Sequence, residues 1–179
     1  MPTVLAILAE GFEEIEAITP IDLLRRAGVE VGIAALCDSI HVTGRNGITL
    51  HADTTLALAP ATLADCLLLP GGPGVKLLRA SQPVLDLARR PYAARRIVAA
   101  ICAAPTVLLD AGLLTGRRHT AHASVAAELP ALLPDQRIVW DEHLLTSRGA
   151  GTALDFGLAL VERLCGQETA QRITESIHA

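Results

Sequence analysis

Three short runs, Thr3–Leu8 (TVLAIL), Cys66–Leu69 (CLLL) and Arg96–Ile101 (RIVAAI), are apolar at almost every position. A strand with one face in water alternates apolar and polar side chains, so runs without alternation must be buried on both faces. Helical patterns separate or follow them at Glu13–Arg26, Val75–Arg79, Pro83–Arg90, about Ala103–Ala111, Thr152–Cys165 and Gln167–Ile177. Helices can bury both faces of such strands only by packing on either side of one sheet, through right-handed βαβ units. The sequence therefore predicts a three-layer α/β domain with a mostly parallel central sheet. Ligands in such sheets gather beyond the carboxyl ends of the strands, which directs attention to the turns after Leu8, Leu69 and Ile101.

Further signals fill in the outline. Val29–Leu36 reads as a strand, and Asn46-Gly47 as a turn between short β segments near Ile40 and at Ile48–His51. A short strand is expected near Thr120, a short helix at Ser124–Glu128, and a β pair at Arg137–Trp140 and Leu144–Ser147. Pro20 should kink the first helix. The length of 179 residues suits a single domain, 1–179, with a sizeable core.

Composition narrows the function. Aromatic residues make up 2% of the chain and the net charge is −4, with the arginines spread out and Lys76 the only lysine. Nucleic-acid binding through basic patches or stacking platforms is disfavoured. Ile97–Leu109 is too short to span a bilayer, so no membrane partner is expected. The start, MPTVLAILAEGFEE, lacks the basic region and cleavage site of a secretory signal and reads as the first strand of a cytoplasmic protein. Cys37, Cys66, Cys102 and Cys165 are widely spaced and read as free thiols.

Of these, Cys102 differs in its setting. In AAICAAP (Ala99–Pro105) it stands between a buried strand and a helix, among small neighbours, as a nucleophile elbow requires. A helix N-terminus there would lower the thiol pKa. Glu16, set among apolar neighbours, would lie near it if its carboxyl reached over the strand ends, with a pKa raised by burial. The turn PGGPG (Pro70–Gly74) lacks the phosphate-loop spacing, but Gly72 could join the Ala103 amide as an oxyanion donor. His119-Thr-Ala-His122 is too sparse for a metal site, and no metal is expected.

Together LAEGFEEIEAITPIDLLRRAG (Leu8–Gly28), LLLPGG (Leu67–Gly72), IVAAICAAPTVLL (Ile97–Leu109) and LLTSRGAGTALDFGLALVE (Leu144–Glu162) resemble the ThiJ/PfpI superfamily. The similarity is greatest to the branch holding bacterial YajL and the Parkinson-disease-associated protein deglycase. The resemblance implies a flavodoxin-like sandwich, a homodimer and a cofactor-free site. The family's nucleophilic cysteine matches Cys102, its hydrogen-bonding glutamate Glu16, and the histidine of some members His122. Substrate contacts would come from Gly71, Gly72 and Ala103, with Arg26 and Arg45 at the site entrance. Ala150 stands where relatives commonly carry proline. The activity implied is conversion of glyoxal or methylglyoxal, or of their early protein adducts, to glycolate or lactate. A redox-responsive, chaperone-like dimer using the same cysteine is the alternative, and a cysteine peptidase or amidase ranks third.

Overall fold

A computed structural model of the protein describes residues 1–59 and 63–179. The strands are β1 (Thr3–Leu8), β2 (Glu30–Ala35), β3 (His41–Thr43), β4 (Thr49–His51), β5 (Thr54–Thr55), β6 (Cys66–Leu69), β7 (Ile97–Ile101), β8 (Ile138–Asp141) and β9 (Leu144–Ser147). The α-helices are α1 (Glu14–Arg26), α2 (Val75–Ala80), α3 (Gln82–Ala93), α4 (Pro105–Asp110), α5 (Ala153–Cys165) and α6 (Gln167–Ser176). Seven strands form one sheet in the order β5-β2-β1-β6-β7-β9-β8, parallel except where β8 returns antiparallel to β9. Strands β3 and β4 make a separate hairpin.

The apolar runs are buried on both sides, as their composition requires. Along β7, Ile97, Ala99 and Ile101 face a core shared with α1, α5 and α6, while Val98 and Ala100 face one shared with α2, α3 and α4. Strands β1 and β6 divide their side chains the same way, with Leu8 and Leu68 on the first side and Ile7 and Leu69 on the second. The three-layer, mostly parallel architecture expected from the sequence is the one observed.

Differences are local. Helix α1 runs unbroken through Pro20, which is buried against α5; a Cβ on Gly157 would come within 2.6 Å of Leu23 Cδ1 and 3.0 Å of Pro20 Cα. Helix α4 starts at Pro105 instead of Ala103, because Cys102–Ala104 is taken up by the turn itself. The strand expected near Thr120 is reduced to one bridge, His119 to Leu132. Strand β5, two residues on the sheet edge, carries no periodicity to read. No helix among the described residues is long and apolar enough to cross a membrane.

Candidate active site

The strand order reverses between β1 and β6: from β1 the chain goes outward to β2, then returns to place β6 on the other flank. Such a switch point leaves a crevice at the strand ends. The turns after β1, β6 and β7 meet there, carrying Glu13 and Glu16, Gly71 and Gly72, and Cys102.

Cys102 follows β7 with φ +65°, the left-handed region that non-glycine residues rarely adopt. Backbone bonds hold it there: its N–H donates to the Ser147 carbonyl at 2.9 Å, and its own carbonyl accepts from the His122 N–H at 2.9 Å. The side chain is 9% exposed. Small neighbours are required because Gly71 presses on it directly. A Cβ on Gly71 would lie 2.5 Å from Cys102 Cβ, 2.5 Å from Glu16 Oε2 and 2.9 Å from the Ile101 carbonyl oxygen. Gly72, at φ +93°, has no more room, with the Glu13 nitrogen and the Gly11 oxygen each 2.6 Å from a Cβ there. We expect Gly71→Ala to destabilise the fold by about 1–3 kcal/mol, as overpacking does. Displacing the thiol should also slow its alkylation and any turnover by about 10²-fold; urea unfolding and the alkylation rate at Cys102 check both.

Glu16 is 1% exposed, in the first turn of α1. That turn is fixed by Glu13, the N-cap, whose Oε2 accepts from the Glu16 N–H at 2.9 Å. The Glu16 carboxyl accepts from the Gly71 N–H at 3.0 Å and shares a hydrogen bond with Cys102. Burial lifts it from the ordinary 4.5 to about 7, and repulsion from Glu13 adds to this, while Cys102 and the amides of Gly71 and Ala150 pull it back. The raised carboxyl agrees with the effect of burial expected from sequence.

The thiol behaves otherwise than the helix-terminus argument suggests. Burial, then the Glu16 carboxyl, push Cys102 up to about 12; the amides of Gly72 and Ala103, directed at the sulfur, act in the lowering direction but do not prevail. Helix α4 begins at Pro105, three residues past Cys102, with Ala104 as its N-cap. Near neutral pH the pair therefore holds a thiol beside a carboxyl that titrates in that range, and ionising the sulfur requires the carboxylate to accept its proton.

Above this pair opens a cavity of about 520 Å³, whose lining includes Arg45, Lys76, Arg79, His122 and Glu128 as well as Glu13, Glu16 and Cys102. His122 is exposed, and its Nδ1 lies 2.8 Å from Ser124 Oγ. His119, by contrast, is fully buried with Nδ1 2.9 Å from the Arg117 carbonyl, so the two histidines do not act as a pair. Among the described residues no three His, Cys, Asp or Glu side chains converge as metal ligands.

Six of the residues expected at the site, Cys102, Glu16, His122, Gly72, Ala103 and Arg45, line this one cavity, and Gly71 packs beneath it. Arg26 does not join them within the chain. Ten residues beyond Glu16, about 15 Å along the helix axis, it lies at the far end of α1, exposed and paired with Asp22 at 2.7 Å. Lys76, Arg79 and Glu128 join the cavity without a sequence motif to mark them, the first two inside an ordinary helical pattern. Glu14 supports the site from below the β3–β4 turn. It is buried, and its carboxyl accepts from the Asn46 N–H at 2.7 Å and from Asn46 Nδ2 at 2.9 Å, clamping the β3–β4 turn that presents Arg45.

Comparison with known proteins identifies the family. The model of the DJ-1/PfpI family matches residues 2–163. Protein dj-1beta of Drosophila melanogaster is 38% identical over 177 residues, covering 97% of this chain and 95% of its own. The crystal structure of Drosophila melanogaster DJ-1beta superposes with a TM-score of 0.95 at 36% identity, over 99% of this chain and 98% of that one. The Parkinson disease protein 7 homolog of Danio rerio is 35% identical, over 94% of this chain and 93% of its own. An isonitrile hydratase from Pseudomonas putida is 37% identical over 139 residues, 76% of this chain and 60% of that protein. By sequence and by fold, the chain belongs to the DJ-1/PfpI family.

Proposed function

We propose that the protein is a cofactor-independent glyoxalase or deglycase that converts glyoxal, methylglyoxal or their early protein adducts to glycolate or lactate. The observation that carries this reading is the hydrogen-bonded Cys102–Glu16 pair at the floor of an open cavity, with the Gly72 and Ala103 amides beside the sulfur. The Glu16 carboxylate takes the thiol proton as sulfur adds to the aldehyde carbon, and the carbonyl π bond becomes an oxyanion facing the two amides. After the oxyanion is protonated, Glu16, assisted by His122, moves a proton from the former aldehyde carbon to the neighbouring carbonyl carbon through an enediol. That oxidises one carbon and reduces the other, leaving a thioester with no external oxidant or reductant. Water then releases the 2-hydroxy acid and restores the thiol.

Two other readings rank lower. An oxidant sensor would draw on the same Cys102–Glu16 pair, which does not by itself favour it over carbonyl addition. A peptidase needs histidine aligned on the nucleophile, whereas the His122 Nδ1 meets Ser124. As for assembly, Ile15 and Ile18 on α1 are 53% and 40% exposed, an apolar surface suited to the homodimer that the family resemblance implies.

The test is to incubate the protein with methylglyoxal without glutathione and identify the product. Stoichiometric lactate is expected. Absence of consumption, or consumption without lactate, overturns the reading.

A further inference from the structure

The charged groups around the cavity are unequally committed. Each of its three acids already has partners: Glu13 caps α1, Glu16 meets Gly71 and Cys102, and Glu128 pairs with Arg79 at 2.7 Å. Arg79 is also held by Asp110 at 2.6 Å. Arg45 and Lys76 line the same cavity from the β3–β4 turn and from the start of α2, and neither side chain forms an ion pair among the described residues. Arg45 and Lys76 are thus the two cavity cations without a carboxylate partner among the described residues, while Glu13 and Glu16 are engaged by backbone N–H groups and Glu128 by Arg79. Its volume of about 520 Å³ falls within the ~300–1,000 Å³ of pockets that enclose drug-sized ligands, more than a three-carbon dicarbonyl fills.

We infer that the site selects 2-oxo aldehydes whose far end carries a carboxylate, with Arg45 and Lys76 holding that carboxylate while the aldehyde lies at Cys102. The inference rests on the carbonyl-addition reading above and extends it to substrate choice. Arg45 offers a planar fork that a carboxylate can meet with two hydrogen bonds, and Lys76 offers a point charge. Both side chains are exposed, so their attraction is screened by salt and acts on capture more than on the chemical step. The overall conversion stays redox-neutral: 4,5-dioxopentanoate and water would give 2-hydroxyglutarate, the aldehyde carbon being oxidised and its neighbour reduced.

Two measurements test this. The first compares kcat/KM for 4,5-dioxopentanoate with that for 2-oxohexanal, which is uncharged and of similar length. At low salt the ratio should be about tenfold or more, equivalent to about 1.4 kcal/mol, and should fall toward one in Lys76→Gln/Arg45→Gln. Equal rates in the unmodified protein overturn the inference. If neither compound is turned over, the carbonyl-addition reading fails, and the second measurement still judges the charge selectivity. It compares alkylation of Cys102 by iodoacetate and iodoacetamide at pH 6, read by mass spectrometry of the Cys102 peptide. Relative to free cysteine, the preference for iodoacetate should rise about tenfold and be lost in the double variant or at 0.5 M salt, roughly a Debye length of 4 Å. A preference no greater than that of free cysteine, or one the double variant leaves unchanged, overturns it.

Discussion

Replacing Glu16 by glutamine is expected to lower kcat/KM toward methylglyoxal by roughly 10²–10⁴-fold, the range that a positioned acid–base group contributes. The same change should make the protein more stable at alkaline pH. In the folded chain burial holds the Glu16 carboxyl at about 7, against an ordinary 4.5. The folded state therefore binds the proton more tightly than the unfolded chain. The associated stability is fully present below pH 4.5 and is lost as pH rises through 7. At 1.36 kcal/mol per tenfold change in proton affinity, the ionised carboxylate costs roughly 3 kcal/mol at pH 8. Glutamine avoids that cost and can still accept from the Gly71 N–H. Urea unfolding should show Glu16→Gln ahead of the unmodified protein at pH 8 and level with it at pH 4, and equal stabilities at pH 8 would refute the argument. Turnover by the unmodified protein should rise with pH through about 7, as the carboxylate needed to accept the thiol proton forms.

Cys102→Ser should abolish turnover, by at least about 10³-fold, because a hydroxyl surrenders its proton to a carboxylate far less readily than a thiol does. Its stability should change little, since the turn is held through its backbone by Ser147 and His122 and the replacement is nearly isosteric. Methylglyoxal consumption and thermal unfolding, measured together, separate the two effects. Turnover within tenfold of normal would remove Cys102 from the mechanism.

What the sequence discloses of all this follows from the range over which its signals act. The sheet is legible because CLLL and IVAAI leave no face for water, and Cys102 because its small neighbours at a strand-to-helix junction suit a nucleophile elbow and match the family motif. The apolar neighbours of Glu16 set it apart from Glu13 and Glu14 but leave its role open, and the family resemblance assigns it. Glu14, next to a similar glutamate, gives no sign that its partner Asn46 lies 32 residues away. Arg26 matches a motif position of the family, yet the length of one continuous helix separates it from the thiol within the chain. Lys76 is plain in the sequence as the single lysine, but its place on the cavity depends on how the β6–α2 turn folds over Glu13 and Gly11, where the Glu13 N–H bonds the Gly71 carbonyl at 3.0 Å.

The order of strands also has a bearing on synthesis. Strand β7, which delivers Cys102, pairs on one side with β6 and on the other with β9, the last strand of the chain. The Ser147 carbonyl that fixes the Cys102 N–H and the Ala150 amide beside Glu16 both lie at or just beyond β9. A nascent chain that has emerged as far as residue 140 thus holds the cysteine and the glutamate but not the frame that brings them into register. Parallel pairings between strands so distant in sequence also form slowly. The thiol consequently gains its carboxylate partner only once β9 has been made, so products truncated before that strand would carry an ordinary cysteine instead of a partly working site.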